Sequence, residues 1–172
     1  MLKKLFGRRP GRALEPAPPE ALPLPKPYRP SVDAAKVRVL FLCFGNSCRS
    51  PMAEGLAAKY GSDVMTAESA GLSPIHRVDP LGIKVMKARN IDISDAFPKS
   101  PDEVNAQSFD LIVNMSGQRL PALRVPIEEW NIPDPIGQDE EAFRKTADLL
   151  EQQVMRLVLQ LRLNQHPMLK RS

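Results

Sequence analysis

Residues 37–44, Val-Arg-Val-Leu-Phe-Leu-Cys-Phe, constrain this chain more than any other segment. An almost unbroken apolar run rich in β-forming residues is the pattern of a strand buried on both faces. It stops abruptly at Gly45-Asn-Ser-Cys-Arg-Ser50, and a helical pattern follows from Pro51 to Tyr60. Met52, Leu56 and Tyr60 recur there at i, i+4 and i+8, and Gly61 supplies a stop. A doubly buried strand that turns straight into a helix implies a parallel sheet with helices on its faces.

The rest of the chain continues that alternation. Val64 to Glu68 reads as a second short strand. Asp79-Pro80 opens a helix to about Ala88, with Asp79 as cap and Pro80 at the first helical position. Phe109 to Met115 reads as a third buried strand, and Val125 to Ile132, bounded by Pro126 and Pro133, as a fourth. Phe143, Ala147, Leu150, Val154, Leu157 and Leu161 form one apolar stripe over five turns, the mark of a long amphipathic helix. The expected fold is α/β, a three-layer arrangement with a four-stranded parallel sheet flanked by helices and right-handed crossovers.

Residues 1–36 read differently. They hold eight prolines by position 30, and eight Lys or Arg against three Asp or Glu, while residues 37–172 hold 16 against 17. The reading is a disordered, proline-rich basic tail at 1–36, a domain over 37–165 and a short C-terminal tail at 166–172. The pI of about 9.2 therefore belongs to the tail, which removes the case for a nucleic-acid-binding domain. Five basic residues up to Arg12, with no acid before Glu15, suit weak contact with an anionic membrane or an acidic partner. Residues 1–9 lack the apolar stretch of a signal peptide, and no run of 18 apolar residues spans a membrane, so a cytoplasmic protein is expected. Two cysteines and two histidines without ligand spacing point to no metal site, and no cofactor is expected.

The chemistry is concentrated in Cys43-Phe-Gly-Asn-Ser-Cys-Arg-Ser-Pro51, where the first strand gives way to the first helix. In open α/β sheets that edge is where ligands bind. Five residues between Cys43 and Arg49 can curl so that successive backbone N–H groups converge on a tetrahedral oxyanion. The following helix aims its positive dipole end at the same point. Gly45 and Asn46 tolerate left-handed backbone angles in such a curl. Arg49 can grip two oxygens at once. Cys43 lies beneath, in a field that favours the thiolate, and Ser50 can donate a hydrogen bond to it. Phe44, Gly45, Asn46, Ser47, Cys48, Arg49 and Ser50 are thus the candidate oxyanion-binding residues.

This string, with the Met-Ala-Glu-Gly that follows it, resembles the phosphate-binding loop of the low-molecular-weight protein tyrosine phosphatases, a superfamily that includes the thioredoxin-coupled arsenate reductases. Ser69-Ala-Gly71, Asp92-Ile-Ser94, Phe109 to Met115 and Trp130-Asn-Ile-Pro-Asp134-Pro135 follow in the family's order. The similarity covers about residues 37–163. It implies Cys43 as nucleophile, Arg49 as oxyanion ligand and Asp134, in its Asp-Pro dipeptide, as general acid.

Phosphatase and arsenate reductase share the cradle and the thiolate and part after the covalent step. A thioredoxin-coupled reductase needs two further thiols, and none follows Cys48. Asn114-Met115-Ser116-Gly117 stands where the resemblance places the first. A reductase using a small external thiol needs only one cysteine and stays open. Ser47, Pro98-Lys-Ser100 and Trp130 look reductase-like. Ile136 follows Asp-Pro where phosphatases usually carry an aromatic, and Leu72 to His76 offers no large aromatic for stacking a phosphotyrosine ring. A phosphate-binding module without activity would have lost the thiol, the arginine or the acid, and all three are present. The expected activity is hydrolysis of a phosphomonoester, on a phosphorylated protein or a small molecule, through a cysteinyl-phosphate.

Overall fold

The computed structural model describes residues 36–121 and 123–165. The tails expected at 1–36 and 166–172 fall outside the described residues except for Lys36. Four strands form one parallel sheet in the order β2-β1-β3-β4, with β1 Val37–Cys43, β2 Met65–Gly71, β3 Leu111–Asn114 and β4 Ile127–Glu129. Three helices connect and cover them: α1 Arg49–Tyr60, α2 Pro80–Lys87 and α3 Glu140–Gln165.

Both faces of β1 are buried, as its sequence requires, but the two faces differ. Val37, Val39, Phe41 and Cys43 pack against Met52, Leu56, Met86, Phe143, Leu150 and Val154 of all three helices. Leu40 and Leu42 face the opposite way, with Ile112, Phe109 and Val125, beneath a thinner layer of loops and a 3-10 turn at Ala106–Ser108. The expected α/β fold with a four-stranded parallel sheet flanked by helices is present. Its third layer is built mainly of irregular chain.

Several boundaries moved, for identifiable reasons. Helix α1 starts at Arg49 rather than Pro51, because proline at the third helical position lacks only an N–H that would have no partner there. Strand β2 runs on to Gly71, since each of its residues pairs with β1, ending at Cys43↔Gly71. Strand β4 shrinks to three residues at the sheet edge, with Pro126 just before it, where a missing donor does least harm. Asp79 caps α2 as read, its Oδ1 accepting from the Leu81 N–H at 2.8 Å. Among the described residues no helix is long and apolar enough to cross a membrane.

Phe143 is fully buried between the sheet and the other helices, whereas Leu159 on the same helix is 53% exposed. Phe143→Ala is expected to cost about 3–5 kcal/mol in urea unfolding. Leu159→Ala should stay within roughly 0.5 kcal/mol. Equal effects would contradict the orientation of α3.

Candidate active site

The loop from Phe44 to Cys48 is shaped by what its carbonyls do. Leu72 N–H donates to Cys43 O at 3.1 Å, Ser73 N–H to Phe44 O at 2.8 Å and Ile75 N–H to Gly45 O at 3.1 Å. Asp79 N–H donates to Ser47 O at 2.9 Å, and Met52 N–H to Cys48 O at 3.2 Å. The loop's carbonyls are thereby turned outward onto the segment after β2 and the starts of α1 and α2. Among the described residues, no backbone N–H from Phe44 to Cys48 has a protein acceptor. A row of N–H groups backed by spent carbonyls is an anion-binding concavity.

Helix α1 adds to it. Its N-terminus has no side-chain cap and no acidic residue in the first turn, so its positive end is left for a ligand's charge. Asn46 holds the one left-handed backbone angle in the loop, φ 50°. Gly45 was expected to share that role and does not. A Cβ at Gly45 would meet Ser47 Oγ and Ile75 only at ordinary contact distances, so the geometry does not demand glycine there.

Asn46 does more with its side chain, which is fully buried. Its Nδ2 donates to Ser50 Oγ at 2.9 Å and to Ser69 Oγ at 3.0 Å, and its Oδ1 accepts from Lys99 N–H at 2.8 Å. The amide therefore ties the loop to α1, to β2 and to the chain beyond α2. Ser50 Oγ lies 2.9 Å from Cys43 Sγ and 3.2 Å from Ala70 O. With Asn46 donating to this hydroxyl, its single hydrogen is left to the sulfur or to that carbonyl.

Arg49 is 6% exposed and is oriented by backbone. Its Nη1 donates to Met115 O at 2.6 Å and to Ile132 O at 3.2 Å, carbonyls that follow β3 and β4. Its Nη2 is ion-paired with Asp134 Oδ2, and its buried Nε has no protein partner. Asp134 is 39% exposed and also accepts from Ile136 N–H at 3.2 Å through Oδ1. Burial pushes the Cys48 thiol up to about 12, opposed in part by a hydrogen bond from Ser47. Cys48 is thus a neutral thiol in the core beneath the loop, while Cys43 faces Ser50.

The fold brings Cys43, the loop, Arg49, Ser50 and Asp134 to one edge of the sheet, where the strands end. Sequence reasoning missed Ser69 and Gly71 as supports. Gly71 is required by close approach: a Cβ there would stand 2.6 Å from Asn46 N and 2.8 Å from Phe44 O, both backbone atoms. The available signal was Ser69-Ala-Gly71 at the end of β2, but only the register beside β1 gives it meaning. Phe44, named from the sequence among the oxyanion-binding candidates, has its side chain 50% exposed, as Ile75 has at 44%. Among the described residues no group of His, Cys, Asp and Glu could hold a metal ion.

The family profile for low molecular weight phosphotyrosine protein phosphatase matches residues 38–166. The chain belongs to this family. Similar curated relatives include the glutaredoxin arsenate reductase of Synechocystis sp., 35% identical over 70% of this chain and 95% of that protein. An arsenate reductase of Halalkalibacterium halodurans is 40% identical over 64% of this chain and 86% of that one. Among solved structures, an arsenate reductase in a phosphate-binding state aligns with TM-score 0.67 at 32% identity, covering 73% of this chain and 98% of that one. A low molecular weight protein tyrosine phosphatase from T. tengcongensis aligns with TM-score 0.65 at 31% identity, over 73% and 99%. These family members are enzymes of two kinds, phosphatases and arsenate reductases.

Two outcomes test the architecture of the loop. Gly71→Ala should preserve folding yet reduce vanadate binding and turnover on the order of 10²-fold, because it displaces backbone that forms the cradle. Unchanged binding would show that the loop does not lean on Gly71. The second concerns Cys48, whose thiol stays protonated in the fold but ionises near 9 in the unfolded chain. The unfolded state then binds fewer protons, so stability falls as pH rises above 9. Cys48→Ser should lose less stability than wild type between pH 8 and pH 10.5 in urea titrations; a parallel decline would refute the raised thiol.

Proposed function

We propose that this protein is a phosphomonoester hydrolase that works through a cysteinyl-phosphate. The observation that carries the reading is a complete hydrolytic set beside a strand end without a resolving thiol. At the end of β3, Asn114 Oδ1 accepts from Ser116 N–H at 3.0 Å and Ser116 Oγ at 2.7 Å, and its Nδ2 donates to Gln118 O and Glu129 Oε1. The chain's only cysteines are Cys43 and Cys48.

In this reading the Cys43 thiolate attacks phosphorus, forming the S–P bond as the ester P–O bond breaks. The loop N–H groups, Arg49 Nε and Arg49 Nη2 hold the equatorial oxygens. Because the arriving oxyanion takes up the Nη2 bond, the Asp134 carboxylate is released from its ion pair, takes up a proton from solvent and, as the carboxylic acid, delivers that proton to the leaving oxygen. Ser50 turns its hydrogen from Ala70 O to Cys43 Sγ whenever the sulfur is anionic, which stabilises both the attacking and the departing thiolate. Asp134, now deprotonated, takes a proton from the water that attacks phosphorus, and inorganic phosphate and the Cys43 thiolate are released. Ile136, Ile75 and Leu72 make a largely aliphatic rim, with Phe44 its one aromatic. This favours no particular aryl substrate.

A second reading is supported by the relatives named arsenate reductases: the same cradle takes arsenate, and an external small thiol reduces the cysteinyl-arsenate. Aryl phosphate hydrolysis measured beside arsenate-dependent oxidation of glutathione separates the two. We expect hydrolysis that Cys43→Ser abolishes while phosphate binding survives. Asp134→Ala should slow substrates with poor leaving groups by about 10²–10⁴ and good ones less. Arsenate-dependent thiol oxidation without hydrolysis would overturn the hydrolase reading, and an equal loss across leaving groups would overturn the general-acid role.

A further inference from the structure

Arg49 takes its orientation from outside the catalytic loop, through the bonds of Nη1 to Met115 O at 2.6 Å and Ile132 O at 3.2 Å. The two carbonyls are not secured alike. Ile132 O belongs to the peptide with Pro133, which has no N–H by which its far end could be anchored. Met115 O belongs to the peptide that ends in the Ser116 N–H. In a planar trans peptide the carbonyl and the N–H point in opposite directions, so whatever holds the Ser116 N–H aims Met115 O.

That acceptor is the side chain of Asn114. Its Oδ1 takes the Ser116 N–H at 3.0 Å and Ser116 Oγ at 2.7 Å. The amide is clamped at its other end, where Nδ2 donates to Gln118 O at 2.9 Å and to Glu129 Oε1 at 3.0 Å. The near side of Met115 is held by the sheet, its N–H donating to Leu42 O at 2.7 Å. The second carbonyl is tied to the same residue through backbone: Asn114 O accepts from Trp130 N–H at 2.9 Å, and Trp130 O from Ile132 N–H at 3.1 Å. Asn114 is fully buried. Packing alone does not call for an amide at such a place, because an apolar side chain fills the space without polar groups to satisfy. What the amide adds is direction.

We propose that Asn114 is a positioning residue of the oxyanion site: its amide fixes the rotation of the Met115–Ser116 peptide, and that peptide fixes the plane of the Arg49 guanidinium. Its side-chain hydrogen bonds go to Ser116, Gln118 and Glu129, so its effect reaches the site through Arg49. The inference rests on Arg49 as the oxyanion ligand and holds for phosphate esters and arsenate alike.

The test is orthovanadate affinity, measured by isothermal titration calorimetry in a double-mutant cycle with Arg49→Ala. Asn114→Ala is expected to weaken vanadate on the order of 10²-fold, the loss that follows when a binding group is misplaced by about an ångström. Once Arg49 is replaced by alanine, the same change should cost less than about threefold. Asn114→Ser leaves Glu129 as unpaired as the alanine variant does, but a serine hydroxyl accepts from the N–H two residues on. It should therefore bind vanadate about tenfold more tightly than Asn114→Ala. Circular dichroism and urea midpoints check that each variant is folded. If Asn114→Ala does not fold, Asn114→Ser carries the cycle, with a loss of about tenfold that disappears beside Arg49→Ala. Affinity of Asn114→Ala within about twofold of wild type, equal losses for the two variants, or an undiminished loss beside Arg49→Ala would overturn the proposal and leave Arg49 as the oxyanion ligand. Vanadate binding unaffected by Arg49→Ala would overturn that reading, and the proposal with it.

Discussion

The site depends on one constraint: four of the five carbonyls of the Phe44–Cys48 loop, those of Phe44, Gly45, Ser47 and Cys48, are committed elsewhere. The segment 72–75, the Asp79 N–H and the Met52 N–H accept no alternative geometry without breaking these bonds. Once the carbonyls are fixed outward, the N–H groups have one direction left. A backbone cradle of this kind carries a partial positive charge without any mobile side chain, so it is organised before an oxyanion arrives. Gly71 lets the loop lie directly on the end of β2, and the Asn46 amide bolts it to Ser50, Ser69 and the Lys99 N–H.

Arg49 extends that rigidity across the sheet. A buried guanidinium without partners would be costly, and two carbonyls following β3 and β4 satisfy Nη1 while fixing the plane of the group. Its remaining donors face the cradle and Asp134. The ion pair between Arg49 and Asp134 therefore joins residues 85 positions apart. It also couples the two halves of the proposed chemistry, since the same nitrogen serves the carboxylate and an oxyanion.

The strand end at Asn114 bears on one branch of the family's chemistry, a reductase with an internal thiol relay. Its side chain makes four hydrogen bonds with Ser116, Gln118 and Glu129, a satisfied polar cluster that orders the turn after β3. An electron relay there would need a thiol free to move and pair. The polar cluster instead keeps this turn still beneath Arg49, whose Met115 contact is one residue away.

Much of this was legible in the sequence. The run from Val37 to Phe44, apolar except for Arg38, determined a doubly buried strand, because a strand inside a parallel sheet hides the five consecutive apolar residues Val39 to Cys43 on both of its faces. The string from Cys43 to Pro51 located the cradle, because its chemistry is local in sequence: the nucleophile, the curl, the arginine and the helix start lie within nine residues. The stripe of α3 and the Asp79-Pro80 cap were equally local. What only the tertiary structure decided depends on contacts between distant segments. The register Cys43↔Gly71 explains why Gly71 must be glycine, and the burial of Asn46 turned a residue read for its backbone into a side-chain strut. The thinness of the layer over Leu40 and Leu42, the shortening of β4 at the sheet edge and the orientation of Arg49 by Met115 and Ile132 follow from packing. Periodicity reports which residues are buried and not by what. The sequence by itself determined the strand, the loop and the helix that make an oxyanion site; the packed sheet decided which backbone groups were left to fill it.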